Sequence, residues 1–106
     1  MESKNLNTPN VYYFFDPQMP ALMSLKRMAG RTFSSEKFAK VIEKLFENGF
    51  FNTNGAVTPL ADYTNYKAWY QIEEFANDNG HKVILEFVKE FVGGRIYYHI
   101  KGVTVE

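Results

Sequence analysis

The residues with chemistry to offer are few and scattered. The chain of 106 residues holds two histidines, His81 and His99, and no cysteine. Nucleophilic catalysis needs a hydroxyl or thiol beside a base, and no serine here stands in a nucleophile-elbow pattern. The glycines at 30, 49, 55, 80, 93, 94 and 102 spell neither GxGxxG nor GxxxxGK[ST], so no phosphate-cradling loop is written into the chain. Asp16 precedes Pro17 at a strand end, where catalytic carboxylates are often placed, but Asp-Pro is also an ordinary way to close a strand and open a helix. Glu73, Glu74 and Asp78 have the spacing of a solvated helix face, and no HxxxH or ExxH pair is available to hold a metal. These residues point to a protein that is not an enzyme and uses neither metal nor cofactor. His81 reads as an exposed turn residue. His99, between Tyr97 and Lys101 in mid-strand, suits a contact residue or a pH-sensitive group.

The element that must carry His99 is the stretch Lys82 to Val105, KVILEFVKEFVGGRIYYHIKGVTV. Gly93-Gly94 supplies positive φ at both central positions of a two-residue turn, which predicts a long hairpin over 82–92 and 95–105. The turn fixes the register: Val92 faces Arg95, Phe91 faces Ile96, Lys89 faces Tyr98, Phe87 faces Ile100, Leu85 faces Gly102 and Val83 faces Thr104. These residues share one nearly apolar face. The opposite face carries Ile84, Glu86, Val88, Glu90, Tyr97, His99, Lys101 and Val103, with Glu86 opposite Lys101 as a cross-strand ion pair.

Upstream, residues 1–10 read as a loose polar arm and 11–106 as a single domain. Val11 to Phe15, VYYFF, has the unbroken apolar run of a buried strand and is expected beside the ribbon. Ala21 to Ala29 is a helix-forming run that ends at Gly30. Phe38, Val41, Ile42, Leu45 and Phe46 follow helical spacing, with Ser34 or Ser35 as cap and Asn48-Gly49 as stop. Asn54-Gly55 is a hairpin signal with short flanks, and Thr58-Pro59 suits one helical turn. A third helix is expected from about Asn65 to Asn77, with Trp69, Ile72, Phe75 and Ala76 inside. The expected class is therefore α+β: about three helices on a small, mainly antiparallel sheet made of strand 11–15 and the 82–92/95–105 hairpin.

Lysine plus arginine and aspartate plus glutamate are 12 each, so the whole chain exerts no net attraction on a polyanion. No apolar run is long enough to cross a membrane and the start has no leader pattern, which points to a soluble cytoplasmic protein without membrane contact. Ten Phe and seven Tyr are more rings than a small core hides. The preferred reading is a protein-binding module, an inhibitor, adaptor or regulator, acting through the outer ribbon face and tip. Its contact residues would be Tyr97, His99, Val88, Glu86, Glu90, Lys101 and Arg95, with another protein or a second copy as partner. The alternative is a winged-helix-like DNA-binding regulator. Tyr66, Lys67 and Tyr70 would then lie on the 65–77 recognition helix, Arg95 at the 93–94 wing, and Lys26, Arg27 and Arg31 as the basic cluster.

Overall fold

The computed structural model describes residues 23–106. The expected arm over 1–10, the strand Val11 to Phe15 and Asp16 lie outside them. Within them the chain runs from a short helical segment, Met23–Ser24, into a 3-10 turn at Leu25–Met28. It then forms strand β1 (Thr32–Ser34), helix α1 (Ser35–Glu47) and strands β2 (Phe51–Tyr63), β3 (Tyr66–Ala76), β4 (Lys82–Val92) and β5 (Arg95–Val105). The strands form one antiparallel sheet in the order β1-β5-β4-β3-β2. Strand takes 58% of the described residues and helix 23%. The expectation of about three helices on a small sheet is thus overturned: one helix packs on a five-stranded sheet.

Helix α1 is where the sequence pattern expects it. The Ser34 hydroxyl accepts the Lys37 amide at 3.3 Å, which closes the amino end. At the carboxyl end Gly49 takes φ +82, its amide donating to the Phe46 carbonyl while the Phe50 amide donates to Leu45. That pair of bonds, with Leu45 and Phe50 both buried, is a Schellman stop with its hydrophobic contact. It also aims the chain into β2.

The predicted helix at 65–77 is instead β3, and the Asn54-Gly55 hairpin signal, which leaves 50–58 open between a small β-turn and an ordered loop, lies inside β2. The hairpin that joins these two strands turns at Thr64-Asn65, with Tyr63 and Tyr66 stacked beside it at 6.4 Å. Gly55 lies in β2 opposite Glu73 and not in a turn, and a β-carbon there would stand 2.7 Å from the movable carboxylate end of that side chain. Thr58-Pro59 starts no helical turn; Pro59 sits in β2 opposite Trp69, on the sheet edge where a missing N–H costs no ladder bond.

The C-terminal hairpin has the predicted bounds, and Gly93 and Gly94 take φ +58 and +78. Its register holds from Val92↔Arg95 to Phe87↔Ile100 and then slips by one residue, so Glu86 lies opposite Gly102 and Leu85 opposite Val103. Lys101 is the extra residue of this β-bulge. The expected Glu86–Lys101 pair is therefore not formed, and Val103 moves from the outer face to the core side with Val105. The core joins Phe38 and Leu45 of α1 to Phe75, Val83, Leu85, Phe87 and Ile100 of the sheet, with Met28 and Phe50 at its ends. His81 belongs with the interior: it is 5% exposed, with Nδ1 3.3 Å from the Glu106 carbonyl oxygen, and not an exposed turn residue. Helix α1 is about 20 Å long and the strands it packs on about 36 Å. The sheet therefore outruns α1 in a molecule 56 Å long and 21 Å across, while Ser35 and Glu36 at the start of α1 share a cleft with Gly94 and Arg95.

Candidate interaction face of the sheet

Alternation along four long strands sends one set of side chains to α1 and the other to the opposite face of the sheet. The set turned from the helix includes Tyr66, Tyr70 and Ile72 of β3, Glu86, Val88 and Glu90 of β4, and Tyr97 and His99 of β5. None of these eight is fully buried, and Ile72 is 36% exposed. Five of the seven predicted contact residues, Tyr97, His99, Val88, Glu86 and Glu90, share this surface. Arg95 is exposed at the hairpin tip, and Lys101 is exposed in the bulge.

A line of polar groups crosses the face. Thr32 Oγ1 is 2.9 Å from His99 Nδ1, and His99 Nε2 is 2.8 Å from Glu90 Oε1. Tyr66 stands diagonally across from Glu90, and interaction with that carboxylate is the first cause of the phenol's raised pKa. The chain Thr32–His99–Glu90 therefore links β1, β5 and β4, with Tyr66 of β3 beside its end. A parallel bond runs from the Tyr70 hydroxyl to Glu86 Oε2 at 2.5 Å and raises the Tyr70 pKa in the same way. Two of these links are diagonal. Glu90 stands opposite Tyr97 but bonds His99, two residues along; Tyr70 likewise reaches past Val88 to Glu86. The sequence showed His99 opposite Val88, which is correct, but that register alone does not reveal its diagonal partner. Thr32 went unnoticed because β1 is only three residues long and reads as a break between helices.

Glu90 carries the physical consequence. Its hydrogen bond to His99 is the largest cause of a lowered carboxyl pKa, with Tyr66 acting in the same direction and partial burial opposing both. A carboxyl whose folded pKa lies below its unfolded value, ordinarily about 4.5, adds stability above that value and loses it as pH falls through the folded one. Glu90→Gln should therefore cost about 1 kcal/mol at neutral pH, a charged hydrogen bond reduced for a side chain 26% exposed. The gap from the parent should narrow as pH falls below the ordinary carboxyl value and through the lowered folded one. Urea midpoints at pH 7 and 3.5 check this; an equal gap at both would rule out the linkage.

The residues of the DNA-binding alternative are not brought together. Tyr66, Lys67 and Tyr70 lie on a strand, with Lys67 on the other side of the sheet from the two tyrosines, so the recognition helix is absent. Lys67 lies 3.8 Å from Asp62. Arg95 occupies a hairpin tip, Lys26 and Arg27 lie within the 3-10 turn, and Arg31 follows it. Among the described residues no group of three His, Cys, Asp or Glu side chains could hold a metal, and no helix is long and apolar enough to cross a membrane. No family model, no curated protein and no solved structure matches the chain.

Proposed function

We propose that the protein works by binding another protein through the sheet face turned away from α1. The observation that carries this reading is the make-up of that face: partly exposed Ile72, Val88, Tyr70 and Tyr97 around the Glu90–His99 pair. Aromatic and aliphatic groups with a few oriented polar groups are the composition of interface centres. The bonds across the strands hold the polar atoms in fixed positions, so little side-chain freedom is lost on docking.

The free edge of the sheet is a poorer place to bind. Strand β2 exposes Phe51, Val57, Leu60 and Tyr63, yet register shifts at Thr53 and Leu60 make it irregular, and Pro59 has no N–H to offer an added strand. On the hairpin, β4 is paired on both sides, β1 with Gly30 and Arg31 covers 97–100 of β5, and the rest of that edge begins at the Lys101 bulge. Face docking is therefore favoured over strand addition, and a second copy would dock through the same face.

A Tyr97→Ala/Ile72→Glu double variant tests this. Compared with the parent in affinity capture from the source cells and in light scattering, it should lose the captured protein or the higher mass. A Lys37→Ala/Glu43→Ala control on the outer side of α1 should not. Identical captured proteins and identical mass for both variants and the parent would refute the proposal.

A further inference from the structure

On the helix side of the molecule, away from the face just described, the 3-10 turn and α1 diverge around a pocket of about 540 Å³. Its apolar wall is Leu25, Met28, Phe33 and Val41. Four cations surround that wall, Arg27 and Arg31 from one side and Lys40 and Lys44 from consecutive turns of α1, and no acidic residue lines it among the described residues.

This concentration of charge stands out in a chain whose total is zero. Lys40 lies four residues from both Glu36 and Lys44, yet neither Lys40, Lys44, Arg27 nor Arg31 takes part in an ion pair among the described residues. The Arg31 guanidinium lies 5.8 Å from the centre of the Phe33 ring, which keeps it at the apolar wall. Helix C-terminal preference accounts for Lys44 in the last turn of α1 and for basic residues at the end of the 3-10 turn. It does not account for Lys40 in mid-helix or for the convergence of two separate segments on one cavity.

We infer that this pocket binds a small amphiphilic anion, a phosphate or carboxylate head carried on an apolar tail. The volume falls within the range of small-molecule sites, which are mostly apolar with a few placed polar groups. Two guanidinium groups offer paired N–H donors suited to phosphate or carboxylate oxygens, and the two ammonium groups add point charge. The apolar wall accounts for the tail: a free inorganic anion would gain nothing from Leu25, Phe33 and Val41. This inference is independent of the protein-binding reading.

Decyl phosphate is the probe, titrated into the full chain by calorimetry and followed by amide chemical shifts. Inorganic phosphate and decanol serve as the two half-ligands. Decyl phosphate should bind saturably at one site, at least tenfold more tightly than either half, and shift amides between residues 24 and 44. Arg31→Gln/Lys44→Gln changes only exposed residues, so the fold should persist by thermal unfolding while affinity drops at least tenfold. Equal binding of decanol, binding unchanged in the double variant, or no saturable binding would each overturn the proposal. So would a response to vesicles containing anionic lipid with none to monomeric decyl phosphate, since the cations would then serve a bilayer surface.

Discussion

Phe38→Ala should lower the free energy of unfolding by about 3–4 kcal/mol, a large share of what a domain of this size has. Phe38 is 7% exposed and is the ring through which α1 engages the sheet. It stacks on Tyr98 at 4.0 Å with the planes 4° apart, and its centroid is 5.0 Å from Phe87. Those two rings also meet one another, so the three form a closed aromatic group spanning α1, β4 and β5. Removing Phe38 deletes the transfer energy of one ring and leaves a cavity that β4 and β5, held between neighbouring strands, cannot collapse to fill. Tyr98 would lose its stacking partner and part of the burial that raises its pKa. Phe46→Ala is the matched comparison: Phe46 is on the same helix but 50% exposed, with only an edge contact to Phe75 at 6.4 Å. It should cost about 1 kcal/mol or less. Urea denaturation monitored by circular dichroism separates the two. A Phe38→Ala loss as small as that of Phe46→Ala would mean that α1 is not anchored through this ring.

The parts of the fold that were legible in the sequence have local causes. The bounds of α1 follow from a serine hydroxyl at one end and a glycine at the other, and both act within four residues of the helix itself. The C-terminal hairpin follows from two adjacent glycines, because positive φ at both is cheap only there. Strand β3 was not legible. In YKAWYQIEEFA, Trp69, Ile72, Phe75 and Ala76 satisfy a helical stripe, while Tyr66, Ala68, Tyr70 and Ile72 satisfy an alternating one. The aromatic and β-branched content favours strand, but the decision is made by β4, which pairs with β3 along its whole length. Once β3 is a strand, Thr64-Asn65 is the only place left for its turn to β2, although it lacks the glycine that made Asn54-Gly55 the stronger local signal. The same dependence hid the candidate face. Glu86, Glu90, Tyr97 and His99 are placed on one surface by alternation alone, but Tyr66 and Tyr70 join them only when β3 lies beside β4. The four cations of the pocket were invisible for a similar reason, since Arg27 and Arg31 are separated from Lys40 and Lys44 by β1 and the first turn of α1.

The bulge at Lys101 lends itself to a pair of experiments on one strand. Along β5 the residues on the core side are Ile96, Tyr98 and Ile100, then Val103 and Val105, so the apolar positions change from even to odd numbers. An uninterrupted strand cannot do this, because alternation has a period of two. One extra residue can, and Lys101 is that residue, exposed where the ladder breaks. Deleting Lys101 should leave Glu86 opposite Gly102, Leu85 opposite Val103 and Val83 opposite Val105, in one regular ladder. The stability change should stay within about 1 kcal/mol, since no buried group moves. Inserting an alanine between Gly102 and Val103 should have the opposite effect. Val103 would then oppose Ile84 on the outer face, and Thr104 would enter the core opposite Val83, which is 0% exposed. Losing two half-buried valines and placing a hydroxyl among apolar groups should cost about 2–3 kcal/mol. Each variant changes the parent by one residue, at neighbouring positions of the same strand, and Lys101→Ala, which keeps the length, separates loss of the lysine side chain from loss of the bulge. Urea midpoints again give the measurement. If deletion costs as much as insertion, then the bend and twist of the bulge are needed in their own right, and the parity of Val103 and Val105 is not what selects it.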